Sequence, residues 1–127
     1  MQCQCFLNHD MLFVQMAAGF FGGFGYSIKI DKNKFELVYF EEKAGGSFFK
    51  TDPNDTAFSD RAEVSSKYQT LILNQKPTMK PGQQLTGFAT YTSVKYYVRK
   101  LRDKLDTTYV AGRFYFTCKT TVRPDDR

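Results

Sequence analysis

Residues 107–122 constrain the fold of this chain more than any other segment. Alternate residues of the sequence TTYVAGRFYFTCKTTV fall into one mostly apolar set and one mostly polar or amphipathic set. The apolar set is Val110, Gly112, Phe114, Phe116, Cys118, Thr120 and Val122. Side chains of a strand alternate between two faces, so the pattern predicts a strand with one face on a core. Its aromatic and β-branched content, without proline, favours a central strand.

Other alternating segments extend the β prediction along the chain. Residues 24–30 and 35–41 alternate in the same way, and the four polar residues between them fit a hairpin connection. The further predicted strands are residues 47–50, 63–74 and 83–91, the last with Gly87 as a bulge. The apolar run at 11–20 fits either a buried strand or a short helix, because periodicity does not separate these for short runs.

Residues 93–105 depart from this alternation. Val94, Tyr97 or Val98, Leu101 and Leu105 recur at three- and four-residue spacing, which is typical of an amphipathic helix. Ser93 precedes them as a candidate N-cap. We therefore predict one short helix near residues 93–105.

Composition and length agree with a mainly β domain. The 127 residues include 13 Phe and 8 Tyr, and a chain of this length forms one domain with a core of its own. Turn signals recur between the predicted strands, as in sandwiches and barrels. The prediction is a single domain over 1–127, with 1–10 as a flexible lead. Its fold is an antiparallel β-sandwich or partly closed barrel of about seven or eight strands.

Charge and targeting features bear on location. No Lys or Arg precedes Lys29, so the N-terminus lacks the positive region of a secretory signal. Residues 11–28 carry no charge, but glycines interrupt them, which favours two buried strands over a membrane span. At the C-terminus, Gly112 followed by alternating aromatic residues and a polar tail resembles small exported bacterial β-sandwich domains. That resemblance favours an exported protein.

The three cysteines raise the question of a disulfide or a metal site. Cys3 and Cys5 are too close in sequence to bridge each other without strain, but either reaches Cys118 if the first and last strands are neighbours. The apolar position of Cys118 favours a buried free thiol. Cys3, Cys5 and His9 offer zinc-type donors at a spacing unlike the common zinc sites, so we predict no metal and no cofactor.

Catalytic signatures are weak in this chain. Its serines lie in no nucleophile-elbow sequence, and the single histidine, His9, is near the N-terminus. Glu41 and Glu42 point to opposite sides of a strand and do not form a carboxylate pair by adjacency. The prediction is a non-enzymatic protein.

Two groups of residues are candidates for binding a partner or ligand. Phe40, Phe48 and Phe49 are candidates for an exposed patch or an oligomer contact. The second group combines aromatic rings with cations, as single-stranded nucleic-acid sites do. It consists of Tyr96, Tyr97, Arg99, Arg102, Arg113 and Tyr115.

These observations predict a binding or assembly module that interacts with itself or with another protein through an aromatic-rich sheet. One alternative is a small calyx that holds an apolar small molecule, with inward aromatic residues lining its cavity. The other is single-stranded nucleic-acid binding through residues 95–115. A net charge of +5 without a concentrated basic patch ranks nucleic acid last.

Overall fold

The computed structural model describes residues 2–18, 22–100 and 104–122, which contain ten strands and no helix. The strands are β1 (Gln2–Asn8), β2 (Met11–Ala18), β3 (Gly22–Asp31), β4 (Lys34–Lys43), β5 (Phe49–Lys50), β6 (Arg61–Leu73), β7 (Gln84–Ser93), β8 (Tyr96–Arg99), β9 (Leu105–Thr108) and β10 (Ala111–Val122). The chain is mainly β, as predicted. None of the described residues belongs to a helix long and apolar enough to cross a membrane.

Seven of the strands form a barrel in the order β1-β10-β7-β6-β4-β3-β2. The neighbours are antiparallel except for β1 and β10, whose parallel pairing joins Cys5 to Thr120 and Leu7 to Val122 and completes the ring. Strands β5, β8 and β9 form a separate three-stranded sheet. This sheet lies at the barrel end where β4 finishes, because Lys43 N–H donates to Asp60 O and Phe49 N–H to Ser59 O just before β6 begins.

Inward side chains from all seven barrel strands fill the interior. Leu12, Val14, Ile28, Leu37 and Leu85 are almost fully buried there. Phe49 and Tyr96, from the three-stranded sheet, belong to the same buried cluster. Burial of this apolar surface is the main stabilising contribution to the fold. The interior of the barrel is therefore filled by side chains.

The predicted helix over residues 93–105 is wrong for the described part of that segment. Tyr96–Arg99 is strand β8, which pairs with Phe49–Lys50 on one side and with Leu105–Thr108 on the other. Ser93 does not cap a helix: its hydroxyl accepts from Val110 N–H and donates to Val94 O. Long-range pairing outweighs helical spacing here, since local propensity is a weak prior. Residues 101–103 lie outside the described residues.

The other predicted strands are present, with some differences. The predicted strand at 107–122 is divided, because Leu105–Thr108 is β9 of the three-stranded sheet and β10 begins at Ala111. The predicted strand at 47–50 is reduced to Phe49–Lys50. Residues 2–8, predicted to belong to a flexible lead, form β1, because they pair with both β2 and β10. Gly87 is not a bulge: it pairs in register with Phe116 and with Leu73. The bulge lies instead in β6, between Ser66 and Tyr68.

Candidate functional site: an exposed face of the barrel

The bulge in β6 determines which side chains point outward. Val64, before the bulge, is buried, whereas Tyr68 and Ile72, after it, are each 66% exposed. Sequence alternation assigns these residues to one face, but the extra residue of a bulge shifts the register by one and exchanges the two faces. Tyr68 and Ile72 therefore face solvent, although the sequence pattern assigns them to the same face as the buried Val64.

The outward side chains of β6, β7 and β10 form a continuous surface, here called the outer face. Its central row runs across three strands, because Phe88 pairs with Ile72 on one side and with Tyr115 on the other. The rings of Phe88 and Tyr115 lie 4.6 Å apart at an interplanar angle of 37°. Tyr115 is 79% exposed, the largest value among the exposed hydrophobic side chains of the described residues.

Threonines on either side of the central row hydrogen-bond to one another across strands. Thr70 and Thr90 share a hydroxyl–hydroxyl hydrogen bond of 2.5 Å, and Thr86 and Thr117 share one of 3.0 Å. These hydroxyls already have protein partners, so covering them with another surface carries a smaller desolvation penalty than covering free hydroxyls. The face thus offers methyl groups and satisfied polar atoms around its aromatic row.

The charge on this face is sparse and of one sign. From Tyr68 onward β6 carries no Asp, Glu, His, Lys or Arg, and neither does β7. Lys67, the residue before Tyr68, has its ammonium 5.6 Å from the centroid of the Tyr68 ring. Strand β10 contributes Arg113 and Lys119, and no Asp or Glu. Arg113 pairs with Thr90 in the row next to Tyr115, and Lys119 pairs with Gln84 at the far edge. Interface cores are depleted of acids and lysines and are enriched in aromatic residues and arginine, which is the composition found here.

The three candidate phenylalanines do not form one exposed patch. Phe49 is 1% exposed and packs in the core, so its side chain is not available at the surface. Phe40 is half-buried on β4 under the guanidinium of Arg61, whose Cζ lies 4.8 Å from the ring centroid. Phe48 is half-buried, with the Lys43 ammonium 4.9 Å from its ring. Both half-buried rings therefore already have a cationic partner within the chain.

The basic and aromatic candidates are divided between the two sheets. Tyr97 and Arg99 lie in β8 of the three-stranded sheet, where the Arg99 guanidinium stacks 4.0 Å from the Phe58 ring. Arg113 and Tyr115 are exposed on β10 of the barrel. Arg102 lies outside the described residues. Of the nine candidates, Arg113 and Tyr115 are thus placed together on an open surface.

Tyr96 is 3% exposed and belongs to a buried tyrosine cluster that also contains Tyr26, Tyr39 and Tyr91. Its hydroxyl and that of Tyr39 both donate to Glu41 Oε2, each over 3.1 Å. Burial, together with the nearby Glu41 carboxylate, raises the pKa of Tyr39 and of Tyr96 well above the usual tyrosine range. This cluster keeps its hydroxyls protonated and fixes the three-stranded sheet to the barrel end.

The prediction that Cys118 is a buried free thiol is wrong. Cys5 and Cys118 form a disulfide across the β1–β10 pairing, with Cα atoms 5.9 Å apart. Cys3 has a free, half-buried thiol, and its sulfur lies within 4.8 Å of the other two. His9, the other predicted zinc donor, is exposed in the turn after β1. The first and last strands are neighbours, which is the condition under which the sequence allowed a bridge to Cys118.

Comparison of the chain with protein-family models, with curated proteins and with solved structures found no match in any of the three.

Proposed function

We propose that this protein is a non-enzymatic assembly module that associates with a second copy of itself through the outer face of β6, β7 and β10. The observation that carries the proposal is the continuous central row in which half-buried Phe88 lies between exposed Ile72 and exposed Tyr115. Exposed contiguous apolar surface of this kind marks interaction sites in soluble proteins.

The order of side chains in the central row supports self-association. Phe88 is in the middle, with Ile72 on one neighbouring strand and Tyr115 on the other. A two-fold axis parallel to the strands and passing through Phe88 sets Tyr115 of each copy against Ile72 of the other. The same axis sets Arg113 against Thr70, so that the two arginines are separated by the width of the face.

The size of the face supports a weak and reversible dimer. Three strands are about 14 Å wide, and the rows from Tyr68 to Asn74 extend roughly 25 Å, so the flat area is roughly 350 Å² per copy. Allowing for side-chain relief, the total lies at the low end of specific interfaces, below about 1,200 Å². We therefore expect dissociation in the micromolar range or weaker.

Charge distinguishes self-association from the nucleic-acid alternative. Arg113 and Lys119 have the same sign, so added salt screens their repulsion and strengthens or leaves unchanged a dimer formed through this face. Binding of an oligonucleotide to the same cations weakens steeply with salt. Three cations (Lys67, Arg113 and Lys119) on a largely uncharged face are few for a phosphate backbone, which favours the protein partner.

Sedimentation velocity from low micromolar to near-millimolar concentration tests the proposal. We expect a reversible monomer–dimer equilibrium that persists in high salt. Tyr115→Ser should weaken it by about tenfold or more, because the Tyr115 ring contacts Phe88 of its own copy and would face Ile72 of the other, and buried aromatic residues dominate interface energy. Tyr109→Ser is the matched control, since Tyr109 is 60% exposed and lies in the connection before β10.

Three results would contradict the proposal. The first is a wild-type protein that stays monomeric at the highest concentration. The second is a dimer weakened equally by Tyr109→Ser and Tyr115→Ser. The third is a salt-sensitive complex with an oligothymidylate in place of self-association, which would instead support nucleic-acid binding.

A further inference from the structure

A cleft of about 790 Å³ opens at the barrel end opposite the three-stranded sheet. Six apolar side chains line it and are here called its floor: Ile30, Phe35, Leu71, Leu73, Pro77 and Met79. They come from β3, from the facing parts of β4 and β6, and from the connection between β6 and β7. Its volume lies within the range of small-molecule sites, which are concave and mostly apolar with a few polar groups at their rim.

The cleft exists because β4 and β6 stop pairing along part of their length. Their pairing extends from Glu42 and Arg61 to Val38 and Ser65, and the bulge in β6 follows. Beyond the bulge, the side chain of Gln69 replaces the backbone hydrogen bonds between β4 and β6. Leu37 N–H donates to Gln69 Oε1 over 2.9 Å, and Gln69 Nε2 donates to Phe35 O over 3.0 Å.

This side-chain bridge satisfies the backbone of β4 while holding the two strands apart. Leu71 and Leu73, which follow Gln69 on the inward side of β6, are consequently only half-buried. Phe35, on the β4 side, is half-buried as well. The apolar side chains that would otherwise close against each other therefore remain available to a ligand.

The polar rim of the cleft is mainly basic. Lys32, Lys34 and Lys76 line it and are exposed, against one carboxylate, that of Asp10. Arg61 forms ion pairs with Glu42 and Glu63 on the other side of the bulge. Three ammonium groups beside an apolar floor complement a ligand with a hydrocarbon body and an anionic head.

We propose that this cleft binds one molecule of a long-chain anionic amphiphile, of which a fatty acid is the simplest example. Its hydrocarbon chain lies on Phe35, Leu71 and Leu73, where burial of apolar surface drives binding. Its acid group lies at Lys32, Lys34 and Lys76, where charge-assisted hydrogen bonds fix its orientation. The site is independent of the outer face and holds whether or not the protein dimerises.

The proposed ligand is a free monomer rather than a membrane surface, because the apolar side chains that line the cleft are buried or half-buried instead of projecting into solvent. Palmitate, below the concentration at which it self-associates, is the probe. Isothermal titration should give one site per chain. Hexadecanol, which has the same chain without a charge, should bind about tenfold more weakly, and hexadecyltrimethylammonium more weakly still.

Charge-reversal variants at the rim give the sharpest test because they leave the core untouched. The double variant Lys34→Glu and Lys76→Glu should lower palmitate affinity by about tenfold or more while leaving the melting temperature unchanged. Lys95→Glu is the matched control, since this exposed lysine lies between β7 and β8 at the other end of the barrel. Leu73→Asp, which puts a carboxylate on the floor, should abolish binding, and its folding is checked separately by circular dichroism.

Chemical-shift changes on adding palmitate should be concentrated at Phe35, Leu71 and Met79. Binding of wild-type protein to phosphatidylglycerol vesicles without binding of monomeric palmitate would overturn the proposal. Equal affinity for palmitate and hexadecanol would overturn it as well, as would a Lys34→Glu and Lys76→Glu variant that binds palmitate as the wild type does. Chemical-shift changes confined to the outer face would also overturn the proposal.

Discussion

Cys5 and Cys118 are joined by a disulfide across the one parallel pairing of the barrel, where β1 meets β10. The two residues are separated by 113 positions in sequence. The bond therefore closes almost the whole described chain into one covalent loop and reinforces a pairing that involves three residue pairs.

Reducing this disulfide should destabilise the fold. A cross-link over a loop of this length restricts the unfolded ensemble, and its loss costs about 2–4 kcal/mol in unfolding free energy. Urea denaturation with and without dithiothreitol measures the difference. Cys3→Ser is the control, because it removes the free thiol and should leave the effect of reduction intact. Identical midpoints in both conditions would contradict the assigned pairing.

The tyrosine cluster should make stability fall in alkaline solution. Burial raises the pKa of Tyr91 to about 12, and it also raises the pKa of Tyr26, Tyr39 and Tyr96. The unfolded tyrosines lose their protons near pH 10, before the folded ones do. Stability is therefore intact below about pH 10 and is lost as the pH rises through the raised folded-state values.

Denaturant midpoints measured between neutral pH and the alkaline limit test this dependence, with tyrosinate absorbance recorded in parallel. Tyr96→Phe should make the decline shallower, because it removes one group of raised pKa. Tyr109→Phe, at an exposed position, should leave the decline unchanged. A midpoint that is flat across the tyrosine range would count against the buried cluster.

Substitution of two glycines should destabilise the barrel to different extents. A Cβ at Gly25 would collide with the backbone carbonyl oxygen of Met16 on β2, whereas one at Gly87 would meet the ring of Phe116. A side chain yields more easily than a strand backbone. Gly87→Ala should therefore cost about 1–3 kcal/mol, and Gly25→Ala more.

Thermal denaturation of both glycine variants checks the ranking. Combining Gly87→Ala with Phe116→Leu should recover part of the loss caused by the alanine, because the smaller side chain leaves room for the new methyl group. No partner substitution of this kind is expected to rescue Gly25→Ala. The reverse order of stability would show that β2 and β3 are not packed as closely as described.

Gln69 should be more important to stability than its polarity suggests. Gln69→Ala leaves Leu37 N–H and Phe35 O without their hydrogen-bond partner, at a cost of about 1–3 kcal/mol. Amide hydrogen exchange at Leu37 should accelerate. Gln75→Ala is the control, because Gln75 is exposed and donates to Gln84 O at the surface. Unchanged exchange at Leu37 in Gln69→Ala would show that water or another group replaces the bridge.

The sequence predicted those strands and turns whose signals lie in residues close together in the chain. The alternation of β10 and the β3–β4 hairpin depend on periods of two residues and on a short polar turn, and both are confirmed. The helix near residues 93–105 was wrong, because Tyr96–Arg99 owes its conformation to partners about fifty residues earlier in the chain as well as to nearby β9. Pairing at that distance leaves no local periodic signal.

The candidate surface was predicted in part. Arg113 and Tyr115 were identified from the polar side of β10, which is exposed as expected. Their neighbours Ile72 and Phe88 were missed, because one bulged residue in β6 reverses the direction of every later side chain and no single residue signals it. The basic cleft was missed for a related reason: it depends on where β4 and β6 separate, which is a property of the pairing.

The position of β10 between β7 and β1 has a consequence for synthesis on the ribosome. Until the segment ending at Val122 emerges, the earlier strands form an open sheet with two unpaired edges, and Cys5 lacks its partner. Exposed edges of this kind recruit other nascent chains. The protein should therefore require either rapid completion or a chaperone that shields β1 and β7 while the last strand is made.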